Sequence, residues 1–418
     1  MTDSPKPGNL PLLFILITVT LDSVGFGIIL PVMPDLLEDV MSVSLSEAAT
    51  WGGYLTFAYA AMQFVFGPII GNLSDRFGRR SVLMVSLAVM VVDYIIMGLA
   101  HSFTLLLIGR IIAGIAAATH STAGAYIADI SAPEIRAVNF GMVGAAFGVG
   151  FVFGPVIGGL LGELGPRAPF FAAAAMAALN LAFGLVVMRE SLKPANRRRF
   201  DWRRANPFGA FRKMAKMPQL MRLLVVAFVF NLAFAVYPAV WAYYTQAKFS
   251  FSSWEVGATL GAFGVASTIV QAGLIRVIIP RLGEHRTVIF GLTIQVATFI
   301  GYVFIRYGWM IYLMLPIAAL GGVAGPALQG IMSRSVGDDQ QGELQGVNAS
   351  IAAISMAIAP LVLTQVFTYF TGPDAPIILP SAPFVLSAIL LAIALVVFLG
   401  RKRLNPPTTG ATSQRVAG

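Results

Sequence analysis

Successive apolar stretches run through almost the whole of this chain of 418 residues. A helix of about 20 apolar residues is long enough to cross a hydrocarbon core of about 30 Å. Backbone groups in lipid must be hydrogen-bonded within their own segment, and the stretches lack the two-residue alternation of barrel strands. The sequence therefore predicts an all-α integral membrane protein with twelve transmembrane helices. The predicted spans lie near residues 10–34, 51–70, 81–100, 104–128, 138–161, 169–188, 221–245, 256–279, 287–305, 310–332, 345–370 and 378–399.

The placement of charged residues predicts the orientation of these helices. If the N-terminus is cytoplasmic, 24 of the 28 Lys and Arg residues fall on cytoplasmic segments. The first outer loop carries Asp35, Glu38, Asp39 and Glu47 without a basic residue. Cytoplasmic loops are enriched in Lys and Arg, so both termini are predicted to be cytoplasmic. The net charge of +9 then indicates contact with an anionic inner leaflet rather than with nucleic acid.

The composition changes once, in the middle of the chain. Residues 189–222 carry eleven Lys and Arg against two acids, which divides the predicted spans six and six. Arg76-Phe-Gly78 recurs as Arg281-Leu-Gly283, between the second and third spans of each half. We therefore predict two six-helix halves, residues 1–188 and 221–400, a basic cytoplasmic linker at 189–220 and a cytoplasmic tail at 401–418.

Three charged residues lie inside the spans of the first half: Asp22, Asp93 and Arg110. Each costs roughly 2.5–3.5 kcal/mol to insert, so such residues are functional by default. A desolvated carboxyl group can bind and release protons near neutral pH, whereas Arg stays charged. We predict that Asp22 and Asp93 take part in proton coupling and that Arg110 adjusts their proton affinity. The alternative is a purely structural ion pair or a hydrogen bond to a neighbouring hydroxyl.

A basic decapeptide separates the second and third predicted spans: Gly71-Asn-Leu-Ser-Asp75-Arg76-Phe-Gly78-Arg79-Arg80. It resembles the signature loop of the major facilitator superfamily, in the form found in drug:proton antiporters. An acid near the N-terminus of a helix in the other half would be favoured by about 0.3–1 kcal/mol. The resemblance implies that this loop latches the two halves on the cytoplasmic side. Asp129 and Arg136 resemble its companion charge cluster, with ordinary solvated charges as the alternative.

The fifth predicted span contains Gly150-Phe-Val-Phe-Gly154-Pro155-Val-Ile-Gly158-Gly159. Small residues four apart allow close contact between helices, and Pro bends a helix. The whole pattern resembles the signature of superfamily antiporters, which implies export rather than import.

Most of the chain resembles one group of the superfamily, the bacterial tetracycline/proton antiporters. The matching stretches include Thr20-Leu-Asp22-Ser-Val-Gly25, Asp93-Tyr94, Gly109-Arg110-Ile-Ile-Ala-Gly114, Ala123-Gly-Ala-Tyr-Ile-Ala-Asp129 and Gln341-Gly-Glu-Leu-Gln-Gly346. The resemblance implies proton-coupled export of tetracycline-like drugs by alternating access in the bacterial cytoplasmic membrane. We expect a monomer without a cofactor, with Mg²⁺ present only as part of a chelated substrate.

The second half departs from this group at two positions. Ser267 stands where relatives place a His in the eighth span, and Gln295 stands where they place an Asp in the ninth. No acid remains inside the spans of the second half, so coupling is predicted to depend on Asp22 and Asp93. The departures leave open a second interpretation, an exporter of other amphiphilic drugs or of a metabolite.

The substrate pocket is predicted to be mostly apolar with a few polar groups. Its candidate residues are Gln63, His120, Asn231, Tyr237, Trp241, Gln271, Gln295 and Gln329, although hydrogen bonds between helices explain many such side chains. Other classes of function lack their sequence signatures. The three His residues are far apart, neither HExxH nor Gly-x-Ser-x-Gly occurs, and there is no P-loop. We therefore predict neither a catalytic site nor a metal site.

Overall fold

A computed structural model describes residues 9–117, 119–192, 194–198, 200, 218–337 and 340–400. Its α-helices are α1 (Asn9–Met41), α2 (Leu45–Phe77), α3 (Arg79–Leu99), α4 (Phe103–Ala116), α5 (Thr119–Ile130), α6 (Pro133–Gly162), α7 (Ala168–Val187), α8 (Pro218–Phe234), α9 (Val236–Phe249), α10 (Ser253–Ile269), α11 (Ile275–Leu282), α12 (Glu284–Phe304), α13 (Trp309–Gly321), α14 (Ala324–Arg334), α15 (Gln341–Thr371) and α16 (Ala382–Leu399). A π-helical turn, Val270–Leu274, joins α10 to α11, and a short 3₁₀ helix covers Pro194–Asn196.

Across these described ranges, 11 helical segments are long and apolar enough to cross a membrane. The fourth predicted span, 104–128, is divided into α4 and α5, so only the shorter apolar helix Phe103–Ala116 remains at that place. In the sequence, the interruption precedes Thr119, Ser121 and Thr122, and Ser and Thr are weaker helix formers than the Leu and Ala of α4. Most of the predicted linker (201–217), the tail (401–418) and residues 1–8 lie outside the described residues.

The second membrane-spanning segment of each half, α2 in the first and α10 to α11 in the second, begins and ends in the same way. Ser44 and Glu47 form a capping box on α2, and Ser252 and Glu255 form one on α10. The turn that precedes the third helix has glycine at positive φ in both halves, 101° at Gly78 and 74° at Gly283. These shared features extend the weak repeat seen in the sequence.

The two halves, residues 9–192 and 218–400, meet through α2 with α15 and through α6 with α10. The contacts lie near the loops 42–44, 163–167, 250–252 and 372–381, which we call the closed end. There, Thr50 and Thr368 hydroxyls lie 2.8 Å apart, and Thr371 donates to Ser46 Oγ at 3.0 Å.

The same helices are separated at their other end, which we call the open end. A Cβ atom added to Gly71 of α2, Gly148 of α6, Gly273 of the π turn or Gly346 of α15 would meet no atom within 4 Å. Residues 71–80, predicted as a loop, instead form the end of α2, the turn at Gly78 and the start of α3, and they lie at this end. The open space beside these glycines indicates a crevice between the halves on the side of the basic decapeptide.

Candidate functional site

Asp93 and Arg110 form a buried ion pair between α3 and α4. Asp93 is 2% exposed and Arg110 is 8% exposed. Gly109 makes room for the pair, because a Cβ there would lie 3.0 Å from Asp93 Oδ1. The pair accords with the alternative in which Asp93 is the structural partner of Arg110, and its part in coupling stays a prediction.

Asp22 lies on α1, half-buried beside this pair. It lines a narrow pocket between α1, α3 and α7 together with Gly25, Tyr94 and Asn180. The Tyr94 hydroxyl packs directly against Gly25, so a side chain at residue 25 would displace it. Asn180 closes the pocket and donates to Thr18 Oγ1 at 3.1 Å.

Two tyrosines connect Asp22 to the ion pair. The guanidinium carbon of Arg110 lies 5.6 Å from the centre of the Tyr59 ring. The hydroxyls of Tyr59 and Tyr94 lie within electrostatic range of Asp22, Asp93 and Arg110. The three charges that the sequence singled out are therefore gathered in one polar cluster of the first half.

The glycine pattern of the fifth predicted span faces two different helices. Cβ atoms on Gly150, Gly154 and Gly158 would collide with backbone atoms of α1. A Cβ on Gly159 would lie 2.5 Å from the Ser253 carbonyl oxygen and 3.1 Å from Trp254 Cα, both in the second half. The predicted close helix contact is present, and the same pattern also brings the two halves together.

The basic loop forms its ion pairs within the first half. Arg79 Nη1 lies 2.5 Å from Asp75 Oδ1 and donates to Ser74 Oγ at 3.1 Å. Arg79 Nε donates to Asp129 Oδ2 at 3.3 Å, which joins the loop to the end of α5. Asp75 and Asp129 thus share one arginine while the halves are apart at this end.

The other basic residues of the predicted motif each have a partner of their own. Arg80 Nη2 donates to the Leu185 carbonyl oxygen at 2.9 Å, which ties α3 to the end of α7. Arg136 Nη2 donates to the Ser131 carbonyl oxygen at 3.4 Å. The guanidinium of Arg76 stacks on Phe77 at 5.0 Å from the ring centre.

Glu190 completes this network, and the sequence analysis did not single it out. Its carboxylate accepts the backbone N–H of Arg79 at 2.9 Å and that of Arg80 at 3.3 Å, at the N-terminus of α3. A Cβ at Gly78 would collide with the same carboxylate. Ser191 donates to Asp129 Oδ2 at 3.0 Å. Residues 190–191 therefore bind the start of the predicted linker to the N-terminus of α3 and to the end of α5.

Replacing Glu190 by Gln should destabilise the loop by about 0.5–1 kcal/mol, because α3 loses the charged acceptor at its N-terminus. We expect a lower midpoint of thermal unfolding and slower transport. The matched control is Glu134→Gln, which removes an exposed acid from the first turn of α6. Equal effects of the two substitutions would show that Glu190 acts only as a surface charge.

Four of the predicted substrate residues are accessible or half-buried in the described helices. Gln63 is exposed and donates to the Ala117 carbonyl oxygen at 3.3 Å, and exposed Gln329 donates to Gln345 at 3.1 Å. Gln271 is exposed within the π turn, a geometry often found at functional sites. Half-buried Asn231 donates to a carbonyl oxygen of its own helix at 2.9 Å. The side chain of His120 lies outside the described part of the structure.

Tyr237, Trp241 and Gln295 are instead packed inside the second half. Gln295 is 0% exposed and donates to the Tyr237 hydroxyl at 3.1 Å. Trp241 donates to Thr259 Oγ1 at 2.9 Å. The two aromatic rings pack against Phe263, Phe299, Tyr302 and Phe384. These residues form a buried aromatic core in this conformation, and contact with a substrate stays a prediction.

Comparisons with known proteins agree with this architecture. Residues 15–360 match the family model described as Major Facilitator Superfamily. The chain is 41% identical over 359 residues to "Tetracycline resistance protein, class C" of Escherichia coli, across 86% of this chain and 90% of the relative. It is 36% identical to the class G protein of Vibrio anguillarum, across 85% and 90% of the two chains. It is 28% identical to "Multidrug resistance protein 2" of Bacillus subtilis, across 80% and 83%.

Solved structures show the same fold at low sequence identity. The human organic anion transporter MFSD10 superposes with a TM-score of 0.70 at 24% identity, covering 94% of this chain and 99% of its own. The nucleoside transporter NupG superposes with a TM-score of 0.75 at 13% identity, covering 94% of this chain and 100% of its own.

Proposed function

The chain belongs to the Major Facilitator Superfamily, and we propose that it exports tetracycline from the cytoplasm in exchange for protons and so confers tetracycline resistance. The observation that carries this proposal is the similarity to curated tetracycline resistance proteins. Classes C, G and H are 34–41% identical to this chain over about 86% of its length. The charges Asp22, Asp93 and Arg110 within the predicted spans supply the chemistry that a proton-coupled exporter requires.

The orientation follows from the positive-inside rule. With twelve spans and both termini in the cytoplasm, the basic loop 71–80 is cytoplasmic and the closed end faces outward. The crevice at the open end then receives drug from the cytoplasm. The conformation described here corresponds to the inward-open state of an alternating-access cycle in the bacterial cytoplasmic membrane.

Coupling arises from competition for the polar cluster of the first half. Asp22 binds a proton from the outside, and the neutral carboxyl permits the protein to return to the inward-open state. Release of that proton to the cytoplasm restores the charge of Asp22 and allows drug to bind. Arg110 holds Asp93 in place and sets the field that Asp22 experiences, because it stays charged throughout.

A second candidate function keeps the fold and changes the cargo to other amphiphilic drugs. It is favoured by Ser267 and Gln295, which replace the His and Asp of the tetracycline group. The similarity to a multidrug resistance protein points the same way. Gln295 is fully buried, so its amide does not line the crevice, and a crevice with fewer polar groups suits a less polar cargo.

Proteoliposomes that contain the full chain and a pH-sensitive dye test both candidates. We expect tetracycline, with or without Mg²⁺, to drive proton movement that Asp22→Asn abolishes. Asp374→Asn is the matched control, because it removes an exposed acid from the closed-end loop. A response to other amphiphilic drugs but none to tetracycline would favour the second candidate.

A further inference from the structure

At the closed end, two carboxylates of the first half hold the first turn of α10 in the second half. Asp35 of α1 accepts the Ser253 hydroxyl at 2.5 Å and the Gln246 amide at 3.0 Å. Glu163, which follows α6, accepts the backbone N–H of Trp254 at 3.0 Å. Each of these hydrogen bonds crosses from one half to the other.

The N-terminus of α10 is a favourable place for negative charge. The first N–H groups of a helix lack partners within the helix, and the helix dipole places partial positive charge there. Ser252 and Glu255 already form a capping box on this turn. Glu163 accepts a backbone N–H that the capping box leaves, that of Trp254, and Asp35 accepts the side-chain hydroxyl of Ser253 on the same turn. Both carboxylates belong to the opposite half of the protein.

We propose that Asp35 and Glu163 form an outer latch that holds the closed end shut and that protons from outside release it. The proposal rests on the proposed function only for the orientation of the closed end. A carboxylate accepts charge-assisted hydrogen bonds, which are about twice as strong as neutral ones. Protonation removes the charge, so the attraction to the helix N-terminus is lost and the halves separate there.

The surroundings of the outer latch are rich in acids. The titratable and charged groups that face it are Glu38 on α1, Tyr243 on α9 and Glu255 on α10. The nearby Arg167 pairs with Asp39 at 3.0 Å and donates to the carbonyl oxygens of Gly98 and Ala100, all within the first half. Lys248 donates to carbonyl oxygens of α12. These cations are engaged elsewhere, so proton binding is the direct way to neutralise the latch.

Spin-label distances between the halves test this proposal in the full chain, which has no cysteine of its own. Labels on His101→Cys and Ile377→Cys report the separation of the halves at the closed end, and both sites are exposed. Distances are measured without drug and without a gradient, at neutral and at acidic pH. A failure of tetracycline transport therefore leaves this measurement intact, and the two proposals fail separately.

We expect wild type to shift toward the longer distance at acidic pH. Asp35→Asn and Glu163→Gln should raise the ratio of open to closed populations roughly three- to tenfold at neutral pH. Ser253→Ala removes the donor from the other half and should shift the ratio the same way without touching a titratable group. Glu134→Gln, the matched control, removes an exposed acid from the first turn of α6, at its other end from Glu163, and should leave the distances unchanged.

Wild-type distances in all three latch variants at both pH values would overturn the proposal. A shift in the variants with no effect of acid on wild type would overturn release by protons. A shift in Glu134→Gln of equal size would overturn the assignment to Asp35 and Glu163.

Discussion

Replacing Asp93 by Asn should abolish uphill drug export and destabilise the protein by about 3–5 kcal/mol. The reason is the buried partner: without Asp93, the charge of Arg110 remains in the membrane interior uncompensated. The substitution also removes a charge from the polar cluster around Asp22, so proton coupling should fail. Thermal unfolding and drug-driven proton movement, measured on the same preparation, check both effects.

The double variant Asp93→Asn with Arg110→Gln separates these two effects. Removing both charges leaves no uncompensated charge, so most of the stability should return. Transport should remain absent, because the charged environment of Asp22 is still missing. A double variant no more stable than Asp93→Asn, or an Asp93→Asn protein that pumps against a gradient, would contradict this account of the ion pair.

A single methyl group at Gly154 should also destabilise the protein, although less than the loss of Asp93. A Cβ there would lie 2.7 Å from the Val24 carbonyl oxygen and 2.9 Å from Gly27 Cα, both backbone atoms of α1. Backbone cannot turn aside as a side chain can, so α1 and α6 must separate. Overpacking of this kind costs about 1–3 kcal/mol or more. We expect Gly154→Ala to lower the thermal midpoint and to reduce transport.

Gly148→Ala provides the matched control on the same helix. A Cβ at residue 148 would meet no atom within 4 Å. Ala is a better helix former than Gly by about 0.8–1 kcal/mol, so this substitution should be neutral or stabilising. If the same substitution lowers the thermal midpoint at residue 154 but not at residue 148, packing rather than helix propensity is the cause. Equal thermal midpoints for the two variants would refute the close packing of α6 on α1.

The sequence predicted what composition and local spacing determine. The length of the apolar stretches located the helical segments, because a helix must be long enough to cross the hydrocarbon core of the bilayer. The spacing of the glycines predicted that α6 packs closely against a neighbouring helix. Asp93 and Arg110 were identified because a charged side chain inside a membrane span is costly, and the fold brings the two into an ion pair. Each of these inferences depends on one segment at a time.

Features that depend on distant segments were not predictable. Glu190 lies 110 residues or more from the N–H groups that it accepts, and no local pattern connects them. Asp35 was counted only as an acid of an outer loop, because its partners Gln246 and Ser253 belong to the other half. Tyr237 was predicted to line the substrate pocket because it is a polar aromatic residue within a span. In the structure it is buried in the aromatic core of the second half.

The uneven placement of charge between the halves determines how membrane voltage acts on this protein. The acids in the described helices of the second half lie in first turns, whereas Asp22, Asp93 and Arg110 lie deep in the first half. Asp93 and Arg110 have opposite charges, so with Asp22 ionised these three groups together carry one net negative charge. One elementary charge moved across 100 mV changes the energy by about 2.3 kcal/mol, roughly 50-fold in an equilibrium. With a neutral drug bound, an inside-negative voltage therefore favours the change of the unprotonated protein from the inward-open to the outward-open state. This change is the step that exports the drug.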